Sequence, residues 1–110
     1  MKINQLLSKE NRWCKDALAR DKDGKSVPTL DIRYYDQGRR PLDLGQKAYS
    51  FSLYGAICKC YEYDDHERVV DKIHQALKKV IGRDMVIAVF NNHEQTTFEQ
   101  IKKVIQEAEV

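Results

Sequence analysis

The sequence predicts a mainly α single domain of four helices gathered around a buried central helix, about residues 46–61. Three observations carry this prediction. An eleven-residue uncharged segment, 48–58, sits between Lys47 and Lys59 with apolar residues on every side of its helical wheel, as in a helix enclosed by others. Segments 64–81 and 97–108 each carry one apolar stripe at helical spacing behind a capping signal. At 110 residues the chain has the usual size of one domain and buries enough surface to hold a core without metals or disulfides.

Along the chain, residues 3–18 place Ile3, Leu6, Leu7, Trp13, Cys14 and Ala17 at helical spacing, which predicts the first helix. Trp13, the only tryptophan, buries about 150–250 Å² if it faces inward and is the expected anchor. Glu10 falls on the same apolar face. Either a kink or a helix starting after Glu10 accounts for it, or its carboxylate is partly buried with a raised pKa. The run Arg20-Asp21-Lys22-Asp23-Gly24-Lys25 ends the element as a polar turn. Residues 26–45 read as irregular, punctuated by Pro28, Gly38, Pro41 and Gly45, and only 30–34 alternates like a strand.

The central segment is too short to span a bilayer and suits a core helix. Its Gly55-Ala56 pair would admit a neighbouring helix at close range. Asp64 is the expected N-cap of the third helix, with Glu67 at the box position and Gly82 after its end. Met85 to Phe90 is a continuous apolar run and reads as buried strand. Its evident partner is 30–34, so the pattern allows a small two-stranded ribbon, 30–34 with 85–90. Thr96 or Thr97 caps the fourth helix, whose apolar face is Phe98, Ile101, Val104, Ile105 and Ala108.

Composition narrows the function classes. Nineteen basic and seventeen acidic residues leave a net charge of +2, without the excess that marks nucleic-acid binders. No apolar run approaches a membrane span, and no apolar signal core follows the N-terminus, so no membrane association is expected. Three cysteines, two of them two residues apart, do not form a disulfide framework, and a cytosolic setting is expected.

Candidate chemistry thins out on inspection. Cys58-Lys59-Cys60 lacks zinc spacing, even with His66 added, and no metal or cofactor is expected. A thiol–imidazole arrangement of Cys58, His74 and Asn91 needs the fold to assemble it. Asp21-Lys22-Asp23-Gly24 resembles a calcium loop only until register is checked, because Ala19 and Leu30 would then stand at ligand positions. The segment Arg33-Tyr34-Tyr35-Asp36-Gln37-Gly38-Arg39-Arg40 offers bidentate donors and stacking faces. These types also recur at protein–protein hot spots. The candidate ligand- or partner-binding residues are therefore Arg33, Tyr34, Tyr35, Arg39 and Arg40, with Asn91, Asn92 and His93 as a second contributor.

Three stretches together carry a resemblance. They are Trp13 with Ala17-Leu18-Ala19-Arg20-Asp21-Lys22-Asp23-Gly24-Lys25-Ser26-Val27, then Ala48 with Phe51-Ser52-Leu53-Tyr54-Gly55-Ala56-Ile57, then Ile87 with Phe90-Asn91-Asn92 and Thr97. In this order the chain resembles a family of small bacterial and phage proteins known only as a domain of unknown function. Asn92 stands where that pattern leads one to expect aspartate. The resemblance implies a bacterial or phage cytosolic setting and no activity. The expectation is a non-catalytic accessory or interaction protein with a protein partner, homo-oligomerisation being open. The alternatives are nucleotide or nucleic-acid binding through 33–40, and a small hydrolase using Cys58 or Glu10.

Overall fold

The computed structural model describes residues 1–27, 48–61 and 63–110. Among these residues it is mainly helical, with five α-helices and one two-stranded antiparallel sheet. Chain order is α1 (Ile3–Leu6), a 3₁₀ turn (Glu10–Arg12), β1 (Ala19–Arg20), β2 (Ser50–Phe51), α2 (Leu53–Cys60), α3 (Tyr63–Ile81), α4 (Ile87–Asn92) and α5 (Phe98–Ala108).

The mainly α, centrally organised fold is as the sequence predicts. Helix α2 touches α1, α3 and α4, and Leu53, Ala56, Ile57 and Cys58 on it have no accessible surface. It is shorter than the 46–61 expected, because Ser50 and Phe51 belong to β2 and Ser52 is the N-cap, its Oγ accepting from Gly55 N–H at 3.0 Å. The flat lack of charge over 48–58 thus covers a strand and a helix, both buried.

Helices α3 and α5 lie along one another. Val69, Ile73, Ala76 and Leu77 of α3 meet Ile101, Val104 and Ile105 of α5 in the core, and Lys79 Nζ reaches Glu107 at 3.3 Å on the rim. Helix α3 begins at Tyr63, so Asp64 and Asp65 lie in its first turn, where they oppose the macrodipole, and Lys78 and Lys79 lie in its last. Gly82 follows at φ 79, as a C′ glycine does. At α5, Thr97 is the cap: its Oγ1 accepts from Gln100 N–H while Gln100 Oε1 accepts from Thr97 N–H. Thr97→Ala is expected to cost about 1 kcal/mol of stability, read as a shift in urea midpoint at unchanged slope.

Three local expectations are corrected. Residues 3–18 do not form one helix. Ile3, Leu6 and Leu7 are a true helical stripe, but beyond them Cys14 N–H bonds the Phe51 carbonyl at 3.0 Å, and Asp16 takes a left-handed φ of 63, which no continuing helix allows. Glu10 is exposed in the 3₁₀ turn, so it is neither a buried carboxylate nor the mark of a helix starting later. Residues 85–90 are not a strand. Ile87, Phe90 and Asn91 point inward at helical spacing while Val86 and Val89 face out. The continuous apolar run therefore conceals an amphipathic turn of helix. The ribbon pairs Ala19 with Phe51 and Arg20 with Ser50 rather than 30–34 with 85–90, and 30–34 lies outside the described residues.

Candidate functional site

Helix α4 and residues 13–27 meet through one side chain. Asn91 is 1% exposed. Its Oδ1 accepts from Trp13 Nε1–H at 2.7 Å and from Leu53 N–H at 2.9 Å. Its Nδ2 donates to the Cys14 carbonyl at 3.1 Å and to Asn92 Oδ1 at 2.9 Å. Two donors on one end and two acceptors on the other fix the orientation of the amide. The Leu53 bond also satisfies one of the amides that the start of α2 leaves without an intrahelical partner. Asn92 Oδ1 accepts from Asp16 N–H at 2.8 Å, and Lys15 Nζ donates to the His93 carbonyl at 2.6 Å. The left-handed Asp16 is thus held by a side chain from the far end of the chain.

The turn after β1 is knitted in the same way. Arg20 donates from Nε and Nη2 to the Lys15 carbonyl (3.3 and 3.0 Å) and from Nη1 to the Gly24 carbonyl (2.9 Å). Asp21 Oδ1 accepts from the amides of Asp23 and Lys25 at 2.9 and 3.0 Å, an Asx turn completed by Gly24 at φ 84. Gly55 lies against the Leu18 backbone, whose carbonyl oxygen occupies the place of a Cβ. The close approach expected at Gly55 is therefore made by the irregular backbone just before β1, not by a helix.

Trp13, Arg20, Asp21, Gly24, Ser52, Gly55, Asn91 and Thr97, all within the stretches that carry the resemblance, thus act as staples of the fold. A family profile described as "Family of unknown function" matches residues 2–110. The chain belongs to the DUF6197 family. No curated protein and no solved structure matches it. What can be read from this DUF6197 chain about chemistry rests on its own geometry.

Of the residues proposed from sequence, Arg33, Tyr34, Tyr35, Arg39 and Arg40 lie outside the described residues. Asn91 is buried with its amide spent inside the fold. Asn92 and His93 are exposed at the end of α4. The imidazole near Cys58 is His66, with Nε2 at 4.0 Å from Sγ, and its ring meets Tyr54 edge-on at 5.4 Å. His74 is exposed, and the Cys58–His74–Asn91 grouping is not assembled. Burial pushes the Cys58 thiol up to about 12, and desolvation lowers the His66 pKa. Both groups are thereby held neutral, the reverse of an activated thiolate–imidazolium pair. Among the described residues no cluster of three His, Cys, Asp or Glu is placed to hold a metal ion, and no helix is long and apolar enough to cross a membrane.

Two surface features were not legible in the sequence. Val86, at the N-cap of α4, and Val89, within it, are 64% and 54% exposed. Arg12, in the 3₁₀ turn, donates from Nε to the Tyr49 carbonyl at 2.6 Å and lays its guanidinium 4.6 Å from the Tyr49 ring centroid. Local pattern holds no signal for a pair 37 positions apart.

Proposed function

We propose that this chain is a non-catalytic interaction protein that binds a partner protein through the outer face of α4. The observation that carries the reading is the exposure of Val86, the N-cap of that helix, and of Val89 in its first turn. Two branched apolar side chains turned to water beside the buried Ile87 and Phe90 give a partner apolar area to cover on binding. Asn92 and His93 are exposed at the end of α4, where Lys15 Nζ reaches the His93 carbonyl, and they offer polar groups to the same partner. The hydrogen bonds of Asn91 fix α4 in place, so little ordering is left for the moment of binding.

The buried, neutral Cys58 supports a reading without a cysteine nucleophile. Three free cysteines fit a reducing compartment, and the setting we propose is the cytosol of a bacterium, with a phage-borne origin included. The test is affinity purification from the native host with the wild-type chain and a Val86→Asp/Val89→Asp variant as baits. One protein should co-purify with the wild type and be lost from the variant. Urea unfolding should place the variant within about 0.5 kcal/mol of wild type, as for exposed positions. Retention of the same protein by the variant would overturn the proposal.

A further inference from the structure

On a different surface, Asn11, Asp21, Lys22, Gly24, Tyr49 and Ser50 line an open cleft of about 580 Å³, within the size range of small-ligand sites. Two cations stand near the Tyr49 ring: Lys22, from the lining of the cleft, and Arg12, from the adjoining 3₁₀ turn. Arg12 lies 4.6 Å from the Tyr49 centroid and Lys22 Nζ lies 6.0 Å from it. The guanidinium is fixed from two sides, by the ring and by the bond from its Nε to the Tyr49 carbonyl. Its two terminal nitrogens make no hydrogen bond among the described residues, and neither does Lys22 Nζ. Asn11 Nδ2 reaches the Tyr49 hydroxyl at 3.3 Å.

Asp21, the carboxylate among the described lining residues, has one oxygen turned to two backbone amides. Its charge offsets that of Lys22, and Arg12 beside the Tyr49 ring adds one further positive charge. An immobilised guanidinium with open donors, an ammonium and a tyrosine ring suit an anion with several oxygens, because the flat fork of arginine matches phosphate. We infer that a small phosphate-bearing ligand binds in this cleft beside Tyr49, held by Lys22 of its lining and by Arg12 next to the ring. The group would come either from inorganic phosphates or from a nucleotide, whose base would add stacking. This site shares no residue with the α4 contact, so either reading can fail alone.

The test is calorimetric titration of the full chain with pyrophosphate, AMP and adenosine. Pyrophosphate, AMP or both should bind, with affinity falling as salt screens the cations, and adenosine should not. Binding of AMP alone assigns the phosphate to a nucleotide, and equal binding of both assigns it to the phosphate group itself. Lys22 is exposed and its side chain makes no hydrogen bond among the described residues, so Lys22→Glu keeps the fold and should weaken binding by about tenfold or more. Arg12→Lys keeps the charge but loses the fork, and should weaken it as well. The inference is overturned if neither phosphate compound binds, if adenosine binds as tightly as AMP, or if Lys22→Glu leaves affinity unchanged.

Discussion

Asn91→Ala is expected to remove about 3–5 kcal/mol of stability. The substitution leaves the Trp13 indole N–H, the Leu53 amide and the Cys14 carbonyl without their partner. Each buried polar group left unsatisfied costs about 1–3 kcal/mol. The total falls short of three full penalties because a water can enter the vacated space and because neighbouring effects do not add. Asn91→Asp is the sharper control. It keeps the acceptor facing Trp13 and Leu53 but sets a second, charged acceptor against the Cys14 carbonyl and Asn92 Oδ1. Loss of the two donor bonds and burial of a charge should make it at least as damaging as alanine. Urea unfolding followed by Trp13 fluorescence reads both. An aspartate variant as stable as wild type would contradict the hydrogen-bond arrangement described.

Gly55→Ala sets two effects against each other. Alanine gains about 1 kcal/mol over glycine in a helix interior, and α2 is a helix at this point. Against this, the added Cβ would overlap the carbonyl oxygen of Leu18. That oxygen cannot yield cheaply, because it accepts from the Ser52 amide at 3.1 Å and from the Ser52 hydroxyl at 3.5 Å. Overpacking costs about 1–3 kcal/mol, occasionally more, and here it also strains a strand-to-helix junction. The clash is expected to win, with a net loss of about 2–4 kcal/mol by thermal or urea unfolding. A variant equal to or more stable than wild type would show that the Leu18 segment moves aside.

Helices α3 and α5 were legible because their apolar stripes, the cap at Thr97 and the terminal Gly82 all lie within one stretch of sequence. The enclosed character of α2 was legible from the absence of charge, although its first residues proved to be strand. What escaped was everything fixed by a side chain from far away. Residues 13–18 imitate helical spacing, yet their conformation is set by Phe51, Asn91 and Asn92. The run 85–90 imitates a buried strand, and only the inward placement of Asn91 shows that it is helix. Apolar periodicity carries no information about such polar anchors. The candidate contacts divide in the same way. Asn92 and His93 were reachable as a polar break after an apolar run, while Val86 and Val89 were hidden inside it. Arg12 and Tyr49 had no local signal at all.

The bond from Trp13 to Asn91 joins residues 78 positions apart, and this bears on how the protein is made. Ribosomes add about 5–20 residues per second, so the indole is synthesised roughly 4–16 s before its acceptor exists. During that interval the Trp13 indole and the Asp16 amide lack the Asn91 and Asn92 side chains that seat them in the folded chain. Residues 13–16 therefore cannot complete their native hydrogen bonds until Asn91 and Asn92 have been made.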